Sequence, residues 1–348
     1  MICFQEAPSD LKTQMDSLAN FESHFEPRMK EGNEGLIVMF DKRRFELMER
    51  KSIQFKLEEE SGYKKEDALK RELNRYAVGI IDILRDKVAN KVFGVVCVHM
   101  PFDPSNGMNK LGILVCIFKA LREITGKFFL KDIFFCGDMN FIPNSMLYSY
   151  ITTGKLNLKV SDEEYSNQSI ILDHSRSIDL DLLSRISLRK FNSNYLTAIP
   201  SQVQDFITAL DACKVNVGHG SLITIAPGAH PHHDPMASLE ALSRNFSFKS
   251  VYNTARFNFW EQTKKEAKSN QLSSFLDPNE YLSEAFPTQY APEIKSTFDY
   301  IFQVGAGAYE VEAILEVPEL RWLEKHGRSL PFGVYGSDHF SLVADFRF

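Results

Sequence analysis

The stretch Ile133-Phe134-Phe135-Cys136-Gly137-Asp138-Met139-Asn140 decides the fold of this chain. Its leading residues are apolar and predict a buried β-strand that runs directly into a glycine-containing turn. Asp138 and Asn140 are two residues apart, and side-chain direction on a strand repeats every two residues, so both point to the same side. A carboxylate and an amide over one patch suit a phosphate that is held through a divalent cation.

Two other short segments carry similar chemistry. Ser337-Asp338-His339 precedes an apolar run at residues 340–346 that predicts another strand, and an aspartate beside a histidine can stabilise an imidazolium against a charged oxygen. Near the start of the chain, the short apolar stretch at residues 2–4 leads to Glu6, which can bind a hard cation through oxygen. Each motif alone is also typical of an ordinary turn, but the three together indicate metal-assisted hydrolysis of a phosphoester.

The remaining patterns predict an α/β protein. Apolar residues at helical intervals from Lys110 to Ile124 predict an amphipathic helix, and a strand follows it at residues 133–136. Pro143 is expected to open the next helix, which should end near Gly154. Further strands are predicted at residues 35–40, 45–55, 76–85 and 91–98.

Composition narrows the class of protein. The 348 residues are 44% hydrophobic, which is enough for one large domain with a sizeable core, and no apolar run approaches the length of a membrane span. The net charge of −6 argues against broad binding to duplex nucleic acid, although it allows an enzyme that grips one or two nucleotides in a cleft. The start of the chain lacks a secretory leader, and the unpaired spacing of the five cysteines predicts buried free thiols, so we expect a cytoplasmic or nuclear protein.

The order of the motifs resembles the endonuclease/exonuclease/phosphatase superfamily, in particular the deadenylase branch that includes nocturnin, and within it the Angel proteins. The resemblance is most specific at residues 136–150, 34–40 and 298–302, and it covers most of the chain except residues 157–245. It implies a four-layer α/β sandwich, in which two mixed β-sheets lie face to face and helices flank them. We expect one domain over residues 1–348, with a variable insertion at about 157–245 and without the family's first strand.

The same resemblance implies a role for each candidate residue. Glu6 corresponds to the principal magnesium ligand, with manganese as an alternative ion. Asp138 would position or deprotonate the attacking water, and Asn140 would hold the scissile phosphate. His99 corresponds to a histidine that contacts the phosphate, and a histidine satisfied within the core is the alternative interpretation.

The remaining roles fall to the C-terminal part of the chain. Asp299, in Phe298-Asp299-Tyr300-Ile301-Phe302, would complete the polar ring of the site. His339 would stabilise charge on the phosphate or protonate the leaving oxygen, and Asp338 would orient it. A histidine-rich patch at residues 218–220 and 230–234 is interpreted as a polar loop, with zinc binding as the alternative.

The chain also departs from the family pattern. It has Cys97-Val98-His99 where the family has Asn-Thr-His, and Tyr76-Ala77-Val78-Gly79 where the family has Asp-Asn-Val-Gly, so two amides are lost. The leading hypothesis is a magnesium-dependent phosphodiesterase that acts on single-stranded RNA 3′ ends, as a 3′-to-5′ exoribonuclease of the deadenylase type. The alternatives are a phosphatase for RNA 2′,3′-cyclic phosphates, a phosphatase for small molecules, and a non-catalytic relative that binds RNA or protein.

Overall fold

A computed structural model of the protein describes thirteen stretches of two or more residues and three single positions. These are residues 1–29, 32–57, 77–102, 107–143, 145–154, 214–217, 221–224, 246, 248–255, 288–290, 295–305, 309–318, 323, 325, 330–331 and 336–347.

The described helices and strands alternate along the chain. In chain order they are β1 (Ile2–Pro8), α1 (Ser9–Asp16), β2 (Phe21–Pro27), β3 (Glu34–Asp41), β4 (Phe45–Leu57), β5 (Val78–Asp86), β6 (Lys91–His99), α2 (Gly107–Phe128), β7 (Asp132–Asp138), α3 (Met146–Thr153), β8 (Lys214–Val217), β9 (Ser221–Thr224), β10 (Phe248–Ser250), β11 (Gln289–Tyr290), β12 (Lys295–Ser296), β13 (Asp299–Gly305), β14 (Glu310–Ile314) and β15 (Ala344–Arg347).

An eight-stranded sheet forms the centre, in the order β10-β13-β7-β6-β5-β4-β8-β9. Strands β6 and β7 are parallel because α2 connects them, whereas the other pairs in this sheet are antiparallel. A smaller antiparallel sheet has the order β1-β3-β2, and β14 pairs with β15. The predicted α/β architecture, with a mixed sheet flanked by helices, is confirmed.

Alternation along β3 shows how the layers stack. Leu36 and Val38 pack with Val78, Ile80 and Cys97 of the large sheet. Their neighbours on the opposite face, Ile37 and Met39, pack instead against residues of α1. On the far side of the large sheet, α2 contributes to the largest buried cluster together with inward-facing residues of β5, β6, β7 and β13. The order of layers is therefore α1, small sheet, large sheet, α2.

Some boundaries differ from the sequence prediction. The helix expected to start at Pro143 begins at Met146, because the Ser145 hydroxyl caps it by accepting from the Tyr148 backbone N–H at 3.1 Å. The strand expected at residues 340–346 is confined to β15, because the backbone N–H groups of Phe340 and Val343 donate to Thr288 and Tyr252 instead. Gly154 ends α3 in the left-handed conformation, as predicted.

The segment predicted as an insertion is described only in part. Strands β8 and β9 form a hairpin that extends the large sheet beyond β4. The histidine-rich patch and Tyr76 lie outside the described residues, and the assignment of residues 157–245 as an insertion within one domain stays a prediction. Cys97, Cys116 and Cys136 are buried free thiols, as predicted, whereas Cys3 is half-buried.

Within the described part of the chain, no helix combines the length and the apolar character that crossing a bilayer requires.

Candidate active site

Three neighbouring strands of the large sheet place polar side chains in one row. Asp138 at the end of β7 lies opposite Asp299 in the antiparallel pair with β13, and beside His99 in the parallel pair with β6. Directly paired residues on adjacent strands point to the same face of a sheet. The register therefore brings these three residues together at one end of the layer between the two sheets, where Asp138 and His99 are both buried.

Gly137 makes the row possible because the chain passes very close to β6 there. Its φ of +140° is a conformation that side chains rarely allow, and a Cβ atom at this position would lie 1.9 Å from the carbonyl oxygen of Val98. The close approach of the two strands therefore requires a glycine at position 137.

Asn140 holds the carboxylate of Asp138 in place. Its backbone N–H donates to Asp138 Oδ1 at 2.8 Å, and its side-chain Nδ2 donates to Asp138 Oδ2 at 3.1 Å and to the Met100 carbonyl at 2.8 Å. Its backbone has a φ of 49°, in the left-handed region. Both hydrogens of the amide are thus used inside the protein, so Asn140 orients Asp138 in this structure rather than presenting those hydrogens to a phosphate.

His339 is held by a different aspartate from the one expected. Its Nδ1 lies 2.7 Å from Asp299 Oδ2, whereas Asp338 Oδ2 lies 4.0 Å from its Nε2. The Asp338 carboxylate accepts from Gln289 Nε2 at 3.2 Å instead. The partner that orients the imidazole is Asp299.

Glu6 lies at the edge of the same cleft. Its side chain is 61% exposed, and its Oε1 lies 3.8 Å from His99 Nε2, which in turn lies 3.6 Å from Asp138 Oδ2. Its backbone is left-handed, with a φ of 52°, at the point where the register between β1 and β3 shifts. Burial, followed by the negative charge of Glu34, raises the pKa of the Glu6 carboxyl. The bulge therefore turns Glu6 towards the site from the opposite sheet.

Burial and neighbouring charges shift the pKa values of the titratable groups in the site. Burial, together with the charge of Asp299, raises the pKa of Asp138 to about 8. Burial alone would lower the pKa of His339, but its hydrogen bond to Asp299 and the surrounding carboxylates raise it to about 9. Burial and the positive charge of Arg28 lower the pKa of His99 to about 4. At neutral pH the site therefore contains a cationic His339 and a neutral His99.

A divalent cation fits the compact part of this arrangement. Asp138, Asp299 and His339 each offer one ligand atom, and these atoms all lie within 4.8 Å of one another. Carboxylate oxygens suit a hard cation such as magnesium, and a cation would relieve the repulsion that raises the pKa of Asp138. Among the described residues, Glu6 is outside this compact group, so its expected role as principal ligand stays a prediction.

Two positively charged side chains near the site were not predicted as site residues from the sequence. Arg28, which follows β2, acts electrostatically on both Glu6 and His99, and its Nη1 lies 3.3 Å from Glu34 Oε1. Lys110, in the first turn of α2, is buried, and its Nζ donates to the Asn140 carbonyl. No local pattern predicted that contact, because a lysine in the first turn of a helix is usually exposed.

The pKa of Asp138 predicts how metal affinity depends on pH. A cation binds the deprotonated carboxylate, so a proton must leave Asp138 when a metal binds below its pKa of about 8. The affinity for magnesium should therefore rise by up to about tenfold per pH unit between roughly pH 6 and 8 and level off above that. Calorimetric titration with MgCl₂ at pH 6, 7 and 8 measures this slope, and an affinity that does not change with pH would contradict the site.

Comparison with known proteins identifies relatives in sequence and in fold. No protein-family model matches the sequence. The chain is 31% identical over 186 residues to protein angel homolog 2 of Bos taurus, an alignment that covers 48% of this chain and 32% of that protein. It is 29% identical over 189 residues to protein angel homolog 2 of Homo sapiens, with the same coverage. The match thus spans about a third of the length of these curated relatives.

A solved structure shows the same fold. The structure of ANGEL2, described as a 2′,3′-cyclic phosphatase in complex with adenosine-2′,3′-vanadate, superposes with a TM-score of 0.59 and 21% identity. The superposition covers 99% of this chain and 80% of that one. The protein therefore has the fold seen in the ANGEL2 structure. In sequence, part of the chain is similar to protein angel homolog 2 of three mammals.

Proposed function

We propose that this chain is a divalent-metal-dependent phosphoesterase that acts on single-stranded RNA 3′ ends and hydrolyses 2′,3′-cyclic phosphates there. The observation that carries the chemistry is the convergence of Asp138, Asp299 and His339, whose ligand atoms lie within 4.8 Å of one another. The substrate class is supported by the relation to angel homolog 2 and by the fold of ANGEL2, whose structure holds an adenosine-2′,3′-vanadate.

The roles we propose follow from the position and charge of each group. A cation held by Asp138 and Asp299, with Glu6 at the edge, would neutralise phosphate charge and lower the pKa of the attacking water. Cationic His339 faces the reacting phosphate and stabilises its developing negative charge, and Asp299 keeps the imidazole both charged and oriented. Asp138, once deprotonated, accepts the proton of the attacking water.

The remaining polar residues serve to bind the substrate. His99 is neutral at physiological pH, so it contacts the phosphate as a hydrogen-bonding group rather than as a charge. Arg28 supplies positive charge at the mouth of the cleft, where the acidic residues would otherwise repel an RNA end.

A linear 3′-to-5′ phosphodiester is the second candidate for the scissile bond. The side chains of Glu6 and Asp338 are 61% and 54% exposed, so the cleft is open to solvent on the side that they occupy. An open cleft admits the end of a strand that carries a free 3′-hydroxyl as well as one that ends in a cyclic phosphate. The chemistry of the site is the same for both bonds, since each is a phosphodiester.

Two oligonucleotides of the same sequence separate these functions. One ends in a 2′,3′-cyclic phosphate and the other in a 3′-hydroxyl after a run of adenosines, and products are resolved on a denaturing gel with and without MgCl₂. We expect magnesium-dependent loss of the cyclic phosphate without shortening of the strand. A ladder of shortened products from the 3′-hydroxyl substrate would support the exonuclease instead. No turnover of either would leave the non-catalytic interpretation.

Glu6→Gln tests whether this residue takes part in binding the metal. A cation that binds only the folded protein raises its melting temperature, by an amount that corresponds to about 2.7 kcal/mol at a hundred times the Kd. We expect Glu6→Gln to lose most of the rise in melting temperature that about 10 mM MgCl₂ produces in the wild type.

The matched control for Glu6→Gln is Glu46→Gln. Glu46 also lies on a β-strand and has a half-exposed side chain. Its Oε2 lies 3.3 Å from Nη1 of Arg85, and this pair is remote from the row of site residues. It should retain the full magnesium shift. An equal shift in both variants would remove Glu6 from the metal site, and Asp138 and Asp299 would then hold the ion without it.

A further inference from the structure

A buried lysine lies directly behind the candidate active site. Lys110 is in the first turn of α2, it is 3% exposed, and its Nζ donates a hydrogen bond to the backbone carbonyl of Asn140. Its neighbours along the same helix, such as Leu111 and Leu114, belong to the apolar cluster beneath the large sheet. Because it is so deeply buried, the ammonium group cannot touch a substrate in the cleft.

The physical cost of this arrangement indicates a function. Burying an ammonium group is unfavourable unless hydrogen bonds and charges compensate for the lost hydration. A leucine or methionine would fill the same position in an apolar cluster without that cost. The presence of an ammonium group here is therefore explained by the hydrogen bond that it donates to the turn carrying Asp138 and Asn140.

The turn needs such support. Asn140 has a left-handed backbone, a conformation that a non-glycine residue keeps only when its surroundings fix it. The same residue donates to both carboxylate oxygens of Asp138 and to the Met100 carbonyl. A shift of Asn140 would therefore move the Asp138 carboxylate, which is the group nearest to both Asp299 and His99 in the row.

We propose that Lys110 is a positioning residue for the hydrolytic reaction. Its ammonium holds the Asn140 carbonyl, Asn140 in turn holds the Asp138 carboxylate, and the three form a relay of contacts from the helix layer to the reacting phosphate. This inference rests on the proposed function, since it assigns Lys110 to the same site.

Kinetics of three variants test the relay. Lys110→Met keeps the length of the side chain but removes the donor and the charge, and a misplacement of the reacting groups by about 1 Å costs roughly a hundredfold in rate. We expect kcat to fall by about that factor, while KM changes by less than about threefold because Lys110 does not contact the substrate. Lys110→Arg retains a cationic donor and should recover at least about a tenth of the wild-type kcat.

The matched control is Lys119→Met, in the same helix nine residues further along and about 13 Å away. It removes a lysine from α2 at a distance from the turn, and its kcat should match that of the wild type. If Lys110→Met keeps the wild-type kcat per folded molecule and loses only thermal stability, the lysine has a merely structural role and the proposal is overturned. The same conclusion follows if Lys110→Arg is as slow as Lys110→Met.

Crystal structures of the variants give a readout that does not depend on activity. In Lys110→Met, or in Lys110→Gln if the methionine variant does not fold, the hydrogen bonds from Asn140 to Met100 and Asp138 should be broken or displaced. An Asn140 that keeps its left-handed backbone and all three hydrogen bonds would overturn the relay even if the wild type proves to be an enzyme. Inactivity of the wild type on both RNA substrates would contradict the proposed function, while these structures would still decide whether Lys110 positions the turn.

Discussion

Replacing His339 by glutamine should lower kcat on the preferred RNA substrate by on the order of a thousandfold, while KM stays close to its wild-type value. The imidazole is cationic at neutral pH, because the hydrogen bond from its Nδ1 to Asp299 raises its pKa to about 9. Glutamine has a similar reach but no charge, so it loses the stabilisation of the developing phosphate charge. Stopped or continuous assays with the cyclic-phosphate oligonucleotide measure the loss directly.

His24→Gln is the matched control for that variant. His24 lies on β2, its Nε2 is 3.3 Å from the Ser52 hydroxyl, and it is also half-buried in the layer between the sheets. It should retain the wild-type kcat. Asp138→Asn should be about as slow as His339→Gln, and the double variant should be little slower than either, because both groups serve one displacement step. Additive losses would show that the two residues act in separate steps.

Replacing Gly137 by alanine should destabilise the protein by roughly 3–6 kcal/mol, or prevent folding altogether. The new Cβ would lie 1.9 Å from the Val98 carbonyl oxygen, at a backbone φ of +140°. The obstructing atom belongs to the backbone of β6, so no rotation of a side chain can relieve the contact. Relief would require the parallel pairing of β6 and β7 to separate beside Asp138. Urea unfolding followed by circular dichroism measures the change in the free energy of unfolding.

Gly126→Ala is the control for the same chemical change. Gly126 lies in α2, and a Cβ at this position would meet no atom within 4 Å. Alanine favours a helix over glycine by about 0.5–1 kcal/mol, so this variant should be slightly more stable than the wild type. If Gly137→Ala unfolds at the same urea concentration as the wild type, the close approach of β6 and β7 at this point is wrong.

Local patterns were sufficient to predict the central strands and the two helices that follow them. Alternating and continuous apolar runs located β3, β4, β5, β6 and β7, and the helical spacing from Lys110 to Ile124 located the central part of α2. These signals are local because the direction of a side chain depends only on the helical or extended geometry of its own segment. The prediction was less accurate where capping or pairing decides a boundary, as at Ser145 and at residues 340–343.

Sequence by itself selected the candidate residues for the chemistry, because it places carboxylates, an amide and imidazoles beside apolar segments that predict strands. Only the tertiary structure decided how they are paired. The register of β13, β7 and β6 aligned Asp299, Asp138 and His99. The pairing of the segment around His339 with Gln289 placed the imidazole beside Asp299 rather than beside its neighbour Asp338. Register and packing between layers are set by contacts between residues far apart in sequence, which no local period encodes. For the same reason the buried contact of Lys110 with Asn140 was visible only in the folded protein.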